Sequence, residues 1–146
     1  MSAMKPFLSL MVLALTMACS SAAAADFCER LPMDPELPAG FGGSYEVIGK
    51  DPRSGAAYTG TLVLGYGPRS YTLTRRIHGR TVHGEAWLER CGADKVQVLM
   101  ARYNARPMIA LLCTLGADSD IYYRVSCHTQ QGTRQPQGLE AWFQRP

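Results

Sequence analysis

The run from Gly43 to Leu64 constrains the chain most, because its residues alternate with a period of two on both sides of one turn. Tyr45, Val47 and Gly49 fall on one face, and Ser44, Glu46 and Ile48 on the other. That is the side-chain period of a β-strand. Asp51-Pro52-Arg53-Ser54-Gly55 follows. Its proline presets φ near about −65° and its glycine accepts positive φ, so the chain turns there. Tyr58, Gly60, Leu62 and Leu64 then share one face of a return strand, with Thr59 and Thr61 opposite. Glycines inside such an alternation mark close approach of another group, and Gly49 and Gly60 permit the tight coiling of a small barrel.

The rest of the chain repeats this grammar. Ser70 to Ile77 places Tyr71, Leu73, Arg75 and Ile77 on one face. Thr81 to Arg90 sets Val82, Gly84, Ala86 and Leu88 against His83, Glu85, Trp87 and Glu89. Lys95 to Tyr103 alternates Val96, Val98 and Met100 with Lys95 and Gln97. Met108 to Leu115 is a nearly unbroken apolar run, which its length assigns to a strand buried on both faces in preference to a short helix. Asp120 to His128 carries Ile121, Tyr123 and Val125 inward, and Gly138 to Arg145 carries Leu139, Ala141 and Phe143 inward. Together these predict an all-β protein of about eight antiparallel strands in a meander, closing as a small up-and-down barrel. A two-sheet β-sandwich is the alternative.

The first 25 residues have the form of a signal peptide: Lys5, a twelve-residue apolar run from Phe7 to Ala18, then small residues up to Ala23-Ala24-Ala25. The run is too short for a membrane span of about 20 residues. A second reading stays open, in which Leu15-Thr16-Met17-Ala18-Cys19 is a lipobox and Cys19 carries lipid. The protein is then periplasmic or secreted, or else a lipoprotein anchored to the membrane through Cys19 alone. Removing the leader leaves 121 residues, enough for one domain with a real core. Residues 26–42 hold Pro32, Pro35 and Pro38 and read as an extended arm, leaving 43–146 as a single barrel domain. The formal charge of +3 on the full chain falls to +2 without Lys5, which offers nothing for nucleic acid.

Cys28, Cys91, Cys113 and Cys127 remain after the leader, an even number in an exported chain, and two disulfides are expected. No C-x-x-C pair points to zinc. Four cysteines allow three connectivities. A hairpin centred near Asp118 sets Cys113 opposite Tyr123, about 13 Å along the strand from Cys127. This disfavours Cys113–Cys127 and leaves Cys28 to pair with a barrel cysteine.

The pattern Gly43-x-Tyr45-x-Val47-x-Gly49, followed by Asp51-Pro52, Gly55, Tyr58, Gly60 and Leu62, resembles the opening hairpin of small exported bacterial β-proteins, broadly lipocalin-like and mostly of unknown function. The likeness is close over about twenty residues and departs in the four cysteines. It implies a fold and no catalytic residues.

No nucleophile elbow, H-E-x-x-H, phosphate loop or dinucleotide fingerprint occurs, so neither an enzyme nor a cofactor is expected. His83, Glu85 and Glu89 share a strand face with Trp87, but a solvated outer wall explains them better than a metal. Arg69, Arg76 and Arg80 read as edge charges in the same way. Arg75 differs because alternation turns it inward, where a charge needs a partner. The inward sets contain no acid, which leaves a ligand or a carbonyl as that partner. Tyr45, Tyr58, Tyr71 and Tyr123 with Arg75 are therefore the candidate ligand-binding residues, around either a cavity or a filled interior. The expected function is a non-catalytic binding protein taking a small apolar or amphiphilic ligand in the barrel. The alternative is a protein-binding module, or an inhibitor of an envelope or foreign enzyme, acting through its loops.

Overall fold

The computed structural model describes residues 27–117, 122–130 and 138–146. Residues 1–25, read above as a signal peptide, with Cys19 among them, and Ile121 lie outside them. The described residues form nine strands: β1 (Cys28–Arg30), β2 (Gly43–Lys50), β3 (Ala57–Tyr66), β4 (Tyr71–Ile77), β5 (Arg80–Cys91), β6 (Val96–Tyr103), β7 (Ile109–Ala117), β8 (Tyr123–Thr129) and β9 (Leu139–Gln144). There is no helix among the described residues. Strands β2 to β9 each pair antiparallel with the next, and β9 pairs back with β2. The result is a closed eight-stranded barrel without free edges, which removes the hazard of edge-to-edge association. The extra strand β1 adds to β5, with Arg30 opposite Glu89 and Cys28 opposite Cys91.

The turns follow local chemistry. Between β2 and β3, the Asp51 carboxylate accepts the backbone N–H of Arg53 and of Ser54, each at 2.8 Å. These bonds, Ser54 first, hold its pKa below the ordinary value. Between β4 and β5, His78 and Gly79 both have positive φ (49° and 75°), the backbone of a two-residue type I′ turn whose twist matches the flanking strands.

Two strands differ in phase from the alternation expected of them. In β6 the inward residues are Leu99, Ala101 and Tyr103, while Val96 is exposed. Both phases of that stretch are apolar, so alternation carries no contrast; pairing decides, because Leu99 sits opposite Leu88 and Cys113, which are inward. In β9 the buried residues are Glu140 and Trp142, and Leu139 is exposed. The apolar set of Leu139, Ala141 and Phe143 lines the outside because the carboxylate of Glu140 has partners inside.

The disulfides are Cys28–Cys91 and Cys113–Cys127. The first staples the arm to the barrel, as expected of Cys28. The second corrects the pairing disfavoured above. The β7–β8 hairpin has its centre two residues later than Asp118, so Cys113 and Cys127 are register partners facing the interior, with Cα atoms 4.0 Å apart. Loop-entropy arguments give about 3 kcal/mol for a bridge closing a loop this short. Replacing Cys113 and Cys127 together by alanine is expected to cost about that much, read as a lowered urea midpoint.

Candidate functional site

One end of the barrel is built from the start of β2, the ends of β3, β5 and β9, and the start of β8. The chain from Leu37 to Gly42 crosses it as a strap. Phe41 drops from the strap into the barrel and is 0% exposed. Its ring meets Tyr71 and Tyr123 edge-on at 5.2 Å between centroids, and Tyr45 at 6.2 Å. Such pairs stabilise beyond the area they bury. The tyrosine hydroxyls hold the strap backbone. Tyr71 donates to the Leu37 carbonyl at 3.2 Å, Tyr123 to Ala39 at 2.9 Å, and Tyr45 to Phe41. Gln144 Nε2 donates to Gly40 at 2.7 Å, and the Gly42 N–H donates to the Tyr66 hydroxyl at 2.8 Å.

Three of the candidate ligand-binding residues, Tyr45, Tyr71 and Tyr123, thus lie together around the protein's own chain. Burial pushes their hydroxyls up, Tyr71 to about 12.

Tyr58 and Arg75 lie deeper, toward the opposite end, in a second cluster centred on Glu140. Arg75 donates to Glu140 Oε2 at 2.5 Å, and the Glu140 side chain is 1% exposed. Tyr58 donates to the same oxygen at 2.7 Å. Trp142 Nε1 and the Tyr103 hydroxyl donate to Oε1 at 2.7 and 3.2 Å. The Arg75 guanidinium also lies over the Tyr103 ring, 4.1 Å from its centroid. The partner of Arg75 is therefore Glu140, which corrects the expectation of a ligand or a carbonyl.

Gly49 makes this possible. It sits between Tyr58 on β3 and Glu140 on β9, and a Cβ there would lie 2.1 Å from the Tyr58 ring. Without one, the ring crosses the glycine and its hydroxyl reaches the carboxylate.

The electrostatics follow. Burial lowers the Arg75 pKa, but Glu140, Tyr103 and Tyr58 outweigh it and the net shift is upward. Burial, then Glu140, raises Tyr58 and Tyr103. A tyrosine whose folded pKa exceeds its unfolded value of about 10 contributes stability that is complete below that value and lost as pH climbs toward the folded one. The barrel should hold through neutral pH and unfold above about pH 10. In a spectrophotometric titration, phenolate from Tyr45, Tyr58 and Tyr103 is expected to appear in the same transition as loss of β-sheet circular dichroism.

The interior is filled. Trp142, Tyr45, Tyr103 and Phe41 are 0% exposed, and no buried side-chain nitrogen or oxygen among the described residues lacks a hydrogen-bond partner. A shallow depression between Leu31–Met33, Tyr71, Trp87 and Leu88 has a volume of about 10 Å³. That is room for about one water, against about 300 Å³ or more for small-molecule sites.

The outer-wall cluster does not converge. His83 meets Thr74, Glu85 pairs with Arg102, and Glu89 accepts Trp87 Nε1. Arg30 and Arg102 lie over Trp87. A three-donor group forms at Cys28, Glu89 and Cys91, but its two sulfurs are bonded to each other. Arg69, Arg76 and Arg80 are exposed.

Phe41, Glu140, Trp142 and Tyr103 are the residues that sequence reasoning missed. The signal for Glu140 was Arg75 itself, since an inward arginine demands an inward acid.

The strap end carries five large exposed apolar side chains: Phe27 and Leu37 on the arm, Tyr66 at the end of β3, Val96 at the start of β6, and Tyr122 before β8. At the opposite end Met108 is exposed, and Ile48, Val63 and Leu139 lie on the wall. Asp34, Glu36, Arg69 and Arg145 put both charge signs around the strap end.

Comparison with protein families, curated proteins and solved structures finds no match to this chain. Two disulfides are consistent with an extracellular or periplasmic setting.

Proposed function

We propose that this chain is an exported, non-catalytic protein-binding module that presents its strap-closed end to a partner in the bacterial envelope or outside the cell. One observation carries the reading. The tyrosines that would line a ligand cavity grip the chain's own strap, and Arg75 is matched by Glu140, while apolar side chains at the same end face solvent. Exposed apolar groups gathered at one end among charges of both signs are the make-up of a protein-recognition surface. A small apolar or amphiphilic ligand would instead have to displace Phe41 or break the Glu140 cluster. Residues 1–25 direct export in this reading, either as a cleaved signal peptide or as a lipid-anchoring leader ending at Cys19. The hairpin likeness to small exported β-proteins fits the same setting.

The test is site-specific photo-crosslinking in the native host. A photoreactive residue at Val96 or Tyr122 should trap one discrete protein partner, and one at Met108 on the opposite end should not. Equal trapping at both ends, or none at the strap end, rules the reading out.

A further inference from the structure

The end of the barrel opposite the strap carries unpaired charge of one sign. Lys50 closes β2, Arg53 stands in the β2–β3 turn, Arg76 and Arg80 flank the β4–β5 turn, and Arg106 stands in the loop from β6 to β7. In an up-and-down barrel these connections emerge at one end. All five side chains are exposed. The two ion pairs among the described residues engage Arg75 and Arg102, and none of these five. The acids of this end are taken up: Glu140 by Arg75, and Asp51 by the N–H groups of Arg53 and Ser54 and the Ser54 hydroxyl of its own turn. The strap end instead has Glu29, Asp34, Glu36 and Asp94 exposed among its cations. Protection of a sheet edge does not explain Lys50 and Arg76. At those residues β2 and β4 are paired on both sides, so no free edge is there to guard.

We propose that this rim docks on an anionic lipid surface, its five cations receiving phosphate-bearing headgroups and Met108 entering between them. Four of the five are arginines, whose guanidinium forks match phosphate oxygens. They stand on β2, β4, β5 and two connecting loops, spread around the rim, which suits a surface bearing many phosphates. Met108 is 56% exposed and lies two residues from Arg106 in the same loop. A large apolar side chain among cations matches a bilayer interface, where headgroups take the charge and the acyl boundary takes the apolar tip. That combination favours lipid over an acidic protein. The same surface repels the acids of the strap end, so the barrel stands with its strap outward. The proposal is independent of the protein-binding reading and orients the end which that reading uses.

The experiment is cosedimentation of the purified protein with vesicles of phosphatidylethanolamine and phosphatidylglycerol, and with vesicles of phosphatidylcholine alone. The protein should pellet with the first and stay in solution with the second. Its affinity should fall at least about tenfold between about 0.1 M and about 1 M salt, as the screening length shrinks from about 10 Å to about 3 Å. Arg76→Gln/Arg80→Gln should weaken binding at least about tenfold, since each cation near such a surface contributes about fivefold. Arg90→Gln/Lys95→Gln removes the same charge from exposed positions at the strap end. It should change binding by no more than about twofold, because that end lies a strand's length away, beyond a screening length of about 10 Å. Both double variants alter exposed side chains and should keep the urea midpoint of the unmodified protein, so that a loss of binding is not a loss of fold. Equal loss in the two double variants, equal pelleting with phosphatidylcholine, or no pelleting with the anionic vesicles would overturn the proposal. A protein crosslinked at Met108 would overturn it too, by putting an acidic protein in the place of lipid. The crosslinks at Val96 and Tyr122 report on the other end and stand whichever way the vesicles respond.

Discussion

Replacing Glu140 with leucine is expected to cost about 3–5 kcal/mol of stability, the range for breaking a buried ion pair from one side. The Glu140 side chain is 1% exposed and accepts from four donors at once. Its loss strands the Arg75 guanidinium, whose side chain is 10% exposed, and leaves two phenols and an indole N–H to find new partners. An orphaned buried polar group costs about 1–3 kcal/mol, and the costs overlap because the groups share one acceptor. Arg75→Leu alone should cost less, since three neutral donors still serve the carboxylate. The double variant Arg75→Leu/Glu140→Leu should be more stable than Glu140→Leu alone, because it removes the uncompensated charge. Urea unfolding of the four proteins closes the cycle, and additive single effects would show that the pair is not coupled. The same cluster decides the outcome of Arg75→Ala. With a ligand as partner, that substitution would leave the melting temperature nearly unchanged; with Glu140 as partner, it lowers it.

Phe41→Ala is expected to cost about 3–5 kcal/mol, the range for emptying a fully buried aromatic site. Phe41 is fully buried and touches three tyrosine rings, so its loss opens the mouth of the barrel. Leu37→Ala on the same strap should change stability by less than about 0.5 kcal/mol, because that side chain is 64% exposed. Urea midpoints with near-ultraviolet circular dichroism separate the two. Equal small effects would mean that the strap merely rests on the barrel.

The eight barrel strands and their order were legible because they rest on local contrast, alternation bounded by proline and glycine; the extra strand β1 was read only as part of the arm. Phase was lost where contrast failed. In β6 both faces are apolar, and in β9 the inward face carries one acid and one tryptophan against three apolar residues outside. Only a long-range partner, Arg75 on β4, could have reversed the β9 assignment. The Cys113–Cys127 pairing was lost to a shift in hairpin centre, which turn composition alone does not set. The tyrosines were found, but their partner was not. Alternation shows which residues face inward and is silent on whether a proline-rich arm returns to fill the space. That depends on an eleven-residue loop from Leu31 to Phe41 closing back over the barrel, a cost that grows only slowly with loop length.

The central claim is that the chain occupies its own barrel and offers the closed end outward. Native mass spectrometry of the protein purified from its own host tests this most directly. The predicted result is polypeptide with both disulfides closed and no small molecule retained. A stoichiometric apolar or anionic adduct, lost when Arg75 or Tyr45 is replaced, would contradict it.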